Sequence, residues 1–160
     1  MLVRFSKAAV NDPADTLTCE RPDGTRTHGA MPKQAILPRH AFHFVVETTL
    51  GWRTAFFGQI ANGTSLDDLS TNAHEPKSHR VKNPVALQSA GLVECLEAEQ
   101  WAGASDPTTF AAALAAACRR HRVAPPALTP GDLARLRTAL RDFGAAWRPL
   151  APGQSLERTF

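Results

Sequence analysis

A chain of 160 residues with 43% hydrophobic and 21% charged side chains falls in the range of one domain able to bury a real core. No stretch approaches the ~18 consecutive apolar residues needed to cross a bilayer, and the opening Met1-Leu2-Val3-Arg4-Phe5-Ser6 lacks the order of a signal peptide, so the sequence predicts a cytoplasmic protein without membrane contact. Three widely spaced cysteines, Cys19, Cys95 and Cys118, in no Cys-x-x-Cys pair, argue against a disulfide framework or a zinc ribbon and are expected to be reduced packing residues.

The net charge of +3 hides an uneven distribution. Residues 84–106 carry Glu94, Glu97, Glu99 and Asp106, whereas residues 119–148 carry seven arginines against Asp132 and Asp142. Two neighbouring helices with attracting edges explain this better than a nucleic-acid footprint, which shows a stronger excess of one sign. Nucleic-acid binding through Arg119, Arg120, Arg122, Arg137 and Arg141 is therefore the third functional reading.

In chain order, residues 1–30 read mainly as strands. Val3 and Phe5 alternate with polar neighbours, and Leu17 and Cys19 do the same after the turn-rich Asn11-Asp12-Pro13. Pro22-Asp23-Gly24 makes a turn, and Thr25 to His28 returns antiparallel, giving a hairpin with His28 at its end as a half-exposed strand residue. After a loop from Met31 to Pro38, residues 38–69 hold a helix pair. The first helix runs from Pro38 to about Leu50, with Gly51 at its C′ position, and its apolar side chains surround most of its circumference, as expected of a central helix. The second runs from about Arg53 to Ala61, and Ser65 caps one further short turn. Residues 70–83, with His74 and His79, read as a surface loop.

Residues 84–148 read as helices. The first ends near Trp101; Asp106-Pro107 opens the next, with Phe110, Leu114, Ala117 and Cys118 as its stripe, and Arg119 to Arg122 favour its negative end. Thr129-Pro130-Gly131-Asp132 caps the last, on which Leu133, Leu136, Leu140, Phe143 and Trp147 follow a 3-4-3-4 spacing. Residues 154–160 form a strand that would join the N-terminal sheet. The predicted class is α+β: a small antiparallel sheet from the N-terminal hairpin and the C-terminal strand, covered by about five helices, in a single domain.

The chemistry concentrates on the first helix. At about 100° per residue, His40, His43 and Glu47 fall within a sector of roughly 60°, so two imidazoles and a carboxylate share one face among apolar neighbours. Such groups suit a divalent transition metal such as zinc, with a further ligand drawn from His74, His79, His121 or Cys95. The spacing differs from the His-Glu-x-x-His and His-x-x-Glu-His patterns of zinc proteases, so no proteolytic mechanism follows. The simpler reading is that His43 hydrogen-bonds Glu47 one turn on and fixes the helix in place. A base oriented by Glu47 would serve an enzyme, but Cys19, Ser6 and Thr48 cannot be placed beside it, and no nucleophile elbow or phosphate loop occurs; whether the chain is an enzyme stays open.

The Thr-Cys-Glu-Arg-Pro-Asp-Gly hairpin, the Leu-Pro followed by a His-containing helix ending Val-Val-Glu-Thr-Thr-Leu-Gly, the Phe-Phe-Gly and the terminal Pro-Gly-Gln-Ser-Leu together resemble a family of small uncharacterised bacterial proteins. The likeness covers residues 15–63 and 147–160. In that family the helix opens His-Asp-x-x-His-x-x-x-Glu; aligned at Leu37-Pro38, this chain keeps His43 and Glu47 and carries Arg39 and His40 where His and Asp are expected. The resemblance implies a bacterial cytosolic setting and no activity. On these grounds the leading expectation is a small non-catalytic module that binds a protein or small ligand, and the alternative is a metal-dependent protein, such as a hydrolase, using His40, His43 and Glu47.

Overall fold

The computed structural model describes residues 1–33, 37–69 and 83–160. The expected surface loop, with His74 and His79, lies almost wholly outside the described residues; its final residue, Asn83, is the N-cap of the helix that follows. Four strands, β1 (Leu2–Ser6), β2 (Ala14–Glu20), β3 (Arg26–Pro32) and β4 (Ser155–Thr159), form one antiparallel sheet in the order β3-β2-β1-β4. Among the described residues, the helices that accompany it are α1 (Arg39–Leu50), α2 (Phe56–Ala61), α3 (Pro84–Ala102), α4 (Pro107–Arg120) and α5 (Pro130–Trp147), with a helical turn at 66–69. The fold is thus α+β, with strands from both ends of the sequence in a single sheet.

The period of two decides which sheet face meets the helices. Val3, Phe5, Leu17, Cys19, Met31 and Leu156 point inward and are buried. The opposite face is polar: Arg4 sits between Thr18 and Glu157, pairing with the latter, and the Ser6 and Ser155 hydroxyls share a hydrogen bond of 2.8 Å. β3 is longer than the sequence suggests. It continues through His28 to Pro32, so His28 lies mid-strand opposite Thr18, exposed on the polar face. The signal for that extension is weak because Gly29 and Ala30 carry little strand propensity; pairing with Leu17 and Thr16 supplies what propensity does not.

α1 is the central helix. Phe44 meets Phe5 and Phe57 edge to face at centroid distances of 5.8 and 5.5 Å, and Phe143 of α5 meets Phe5 at 5.1 Å. Its end follows the expected chemistry: Gly51 adopts φ 68°, and the Trp52 amide donates to the Glu47 carbonyl. Caps expected at the other helices form as well. Asp106 accepts from the Thr108 and Thr109 amides, Thr129 and Asp132 complete a reciprocal capping box, and Ser65 does the same with Asp68. All five positions of the α5 stripe and all four of the α4 stripe are buried.

The acidic and basic segments attract each other as anticipated. Arg137 of α5 grips Glu99 of α3 through Nε at 2.9 Å and adds the Ser105 carbonyl at 2.7 Å, while Arg120 pairs with Glu94. The cysteines are free and buried, and burial pushes the Cys19 thiol up to about 12 and that of Cys95 to about 11, which keeps them protonated. Cys118 serves packing directly: a Cβ on Gly91 of α3 would stand 3.2 Å from its Sγ, so the glycine admits the close approach of α3 and α4.

Candidate functional site

Residues 39–50 form one continuous helix, and His43 and Glu47 do lie on an inward side of it, facing α2 and α3. Glu47 is 0% exposed. Its Oε2 accepts from the amides of Phe57, at 2.9 Å, and Gly58, at 3.2 Å, which are the first-turn donors of α2. This accounts for a difference from the sequence reading: α2 begins at Phe56 rather than Arg53, and Ala55 at its N-cap offers no side-chain acceptor. A carboxylate from the preceding helix does what a local Ser or Asp usually does, and no signal within residues 51–56 could reveal it.

Gly58 makes that contact feasible. A Cβ there would overlap the Arg53 backbone, so only glycine lets residues 53–55 fold tightly over the first turn of α2. The glycine of the Phe-Phe-Gly run is therefore a steric requirement of the capping geometry.

The second oxygen of Glu47 behaves differently. Oε1 is buried, has no hydrogen-bond partner among the described residues and lies 3.9 Å from Nδ1 of His43. The expected His43–Glu47 hydrogen bond is thus absent, because 3.9 Å is beyond hydrogen-bond reach. His43 instead shares a hydrogen bond of 3.3 Å between Nδ1 and Oγ of Ser89, a fully buried residue of α3. Ser89 is the member of the site that the sequence does not reveal: it lies 46 positions from His43, and only the packing of α1 on α3 brings it near.

His40 stands one turn before His43, half-buried, and both rings lean on Phe56, at 5.4 and 5.3 Å between centroids. Phe56 closes the imidazole face of α1 from the α2 side. Arg39, beside the two imidazoles, is paired with Glu97 of α3.

Burial sets the protonation states. Loss of water pushes the Glu47 carboxyl up to about 8 in spite of the amides of Gly58, Phe57 and Phe56, which favour its charged form. Burial likewise depresses His43 to about 3 and His40 to about 4, helped by the Arg39 charge. At neutral pH the site therefore holds two neutral imidazoles and a protonated carboxyl.

Among the described residues, no three of His, Cys, Asp and Glu come together as a metal-holding group. Of the further ligands considered, His121 faces Glu94 at 3.9 Å, and Cys95 is a buried thiol on the α3–α4 side. The five arginines of the nucleic-acid reading are partly spent, since Arg120 and Arg137 are held by Glu94 and Glu99. No helix among the described residues is long and apolar enough to cross a membrane. Comparison with family models, with curated proteins and with solved structures gives no match to this chain.

Proposed function

We propose that the chain is a small non-catalytic binding module for a protein or small ligand, with His43 and Glu47 acting as structural polar groups inside the helical layer. The supporting observation is the commitment of Glu47: fully enclosed, it holds the first turn of α2 through two backbone amides. A carboxyl group fixed in that role is poorly placed to reach a substrate or to relay protons to one. The bacterial and cytosolic setting belongs to the same proposal and rests on the resemblance in residues 15–63 and 147–160. The test is an assay of the purified chain against simple ester and phosphate substrates. Turnover that vanishes in His43→Ala at unchanged thermal stability refutes the module reading.

One observation favours a second reading, a metal-dependent protein such as a hydrolase using His40, His43 and Glu47. That observation is the Oε1 of a buried carboxyl group, which has no hydrogen-bond partner among the described residues. Leaving such an atom unsatisfied costs free energy, and native structures rarely tolerate it without an ion, a water or a reaction to serve. Elemental analysis after mild purification decides it: stoichiometric zinc, iron or manganese supports this reading, and a metal-free protein that gains no stability from added metal ends it.

A further inference from the structure

We infer that the groove between α3 and α4 is a self-association surface, in which Trp101 of a second copy of this chain docks while that copy's groove takes Trp101 in return. The surface uses none of His40, His43 and Glu47, so it stands apart from both readings above.

Among the described residues, Trp101 and Val10 are the large apolar side chains left in water, and Trp101 is 71% exposed. Two helical turns separate Trp101 from Glu94 along α3, so the helical period sets both on one line, at the rim of a groove of about 380 Å³. Ala98 and Ala102 of α3 and Phe110, Ala113 and Ala116 of α4 line that groove, and the single methyl of each alanine keeps it open enough for an indole. An exposed ring beside an apolar recess marks an interaction surface, and tryptophan is the side chain that most often anchors one by filling a pocket.

Ring and recess belong to one patch of one chain, which is the self-complementarity that a two-fold axis requires. Charge selects the same occupant. At one end of the groove Arg119, Arg120 and Arg122 outnumber Glu94, and of these Arg119 and Arg122 are exposed and join no ion pair among the described residues. The other end, lined by Ser105 and Thr109, carries Asp106, exposed and equally without a cation among the described residues. A two-fold axis near Ala98 runs α3 antiparallel to its copy. It sets the arginine end of each protomer against the Asp106 end of the other, and it brings each Trp101 over the half of the opposite groove between Ala98 and Arg120, where a guanidinium held by Glu94 meets the ring.

The experiment is sedimentation equilibrium of the full chain from roughly 5 µM to 1 mM. The exposed part of one indole, about 110–180 Å², and one groove per copy fall short of the ~800 Å² per partner of a standard stable complex, so the dissociation constant should be on the order of 10 µM. Each docked ring should carry about thirtyfold in affinity. Trp101→Ala removes both rings, and Ala113→Arg fills both grooves from an exposed lining position, so each variant should stay monomeric across the range with an unchanged melting curve. An equimolar mixture of the two is the decisive arm: one chain keeps its ring and the other its groove, so one of the two contacts returns, and a heterodimer should form about thirtyfold more weakly than the wild-type dimer. Asp106→Asn, which keeps the N-cap acceptor and removes the charge, should weaken the wild-type dimer by about threefold. A wild type that stays monomeric at the highest concentration leaves the groove to a different partner and overturns the inference. A dimer indifferent to Trp101→Ala or to Ala113→Arg forms through another face, a mixture that stays monomeric excludes reciprocal docking, and a tighter Asp106→Asn dimer excludes the antiparallel order; each of these results overturns it as well.

Discussion

Replacing Glu47 by glutamine in the metal-free protein should change the pH dependence of stability in a way that only a buried, protonated carboxyl explains. Glu47 has its folded-state value raised from 4.5 to about 8. Its contribution is therefore fully present below pH 4.5 and is lost as pH rises through 8, because the folded state must then give up a proton or hold an unpaired charge. Linkage sets the slope at about 1.4 kcal/mol per pH unit while the unfolded carboxyl is ionised and the folded one is not, so stability should fall by about 2 kcal/mol between pH 6.5 and 8. His43 and His40 act on the other side. Their values are lowered from 6.5 to about 3 and about 4, so their contribution is present above 6.5 and is lost as pH falls towards the folded values. The three groups together place a stability maximum near pH 6.5. In Glu47→Gln the amide oxygen still accepts from Phe57 and Gly58, the amide nitrogen faces Nδ1 as a donor, and the alkaline limb should disappear. Urea denaturation in chelator at half-unit steps from pH 5 to 9 measures this. Parallel curves for the two proteins above pH 6.5 would refute the buried-acid account of Glu47.

Glu47→Ala should differ in sign from the glutamine variant at pH 8: two enclosed amides lose their acceptor, and the loss should be about 2–4 kcal/mol by the same denaturation. Gly58→Ala should be among the most damaging small changes, costing about 3 kcal/mol or more, since its methyl would meet the Arg53 backbone rather than a yielding side chain. Arg137→Ala removes the Glu99 and Ser105 bonds and the stacking on Phe110, at side-chain exposures of 20% and 11% for the ion pair, and should lower stability by about 1–3 kcal/mol with only modest relief from added salt. Retention on immobilised duplex DNA at low salt should be absent; retention that falls steeply with salt and is lost in Arg119→Ala/Arg122→Ala would reinstate the nucleic-acid reading.

Most of the fold is legible because its signals are local. Alternation at Val3, Phe5, Leu17 and Cys19, the caps Asp106 and Thr129, and the spacing from Leu133 to Trp147 each need only a few neighbouring residues to be interpreted, and all of them hold. The start of α2 and the far end of β3 are not legible for the opposite reason: one depends on an acceptor from α1 and the other on pairing with β2. The site divides in the same way. That His43 and Glu47 share a face follows from helical period, but the absence of a hydrogen bond between them depends on rotamers chosen to reach Phe57, Gly58 and Ser89, three residues that no spacing rule connects to α1.

The pairing of β1 with β4 has a kinetic consequence. Arg4 and Glu157 are 153 positions apart, so a large loop must close before a single rung between those strands forms, and the entropy of that closure is recovered only when the intervening helices are already compact. The hairpin of β2 and β3 closes over a few residues and can form early. Assembly should therefore proceed from a three-stranded ribbon and its helical cover to a late edge-strand docking. Substitutions at Leu156 should speed unfolding while leaving the refolding rate nearly untouched.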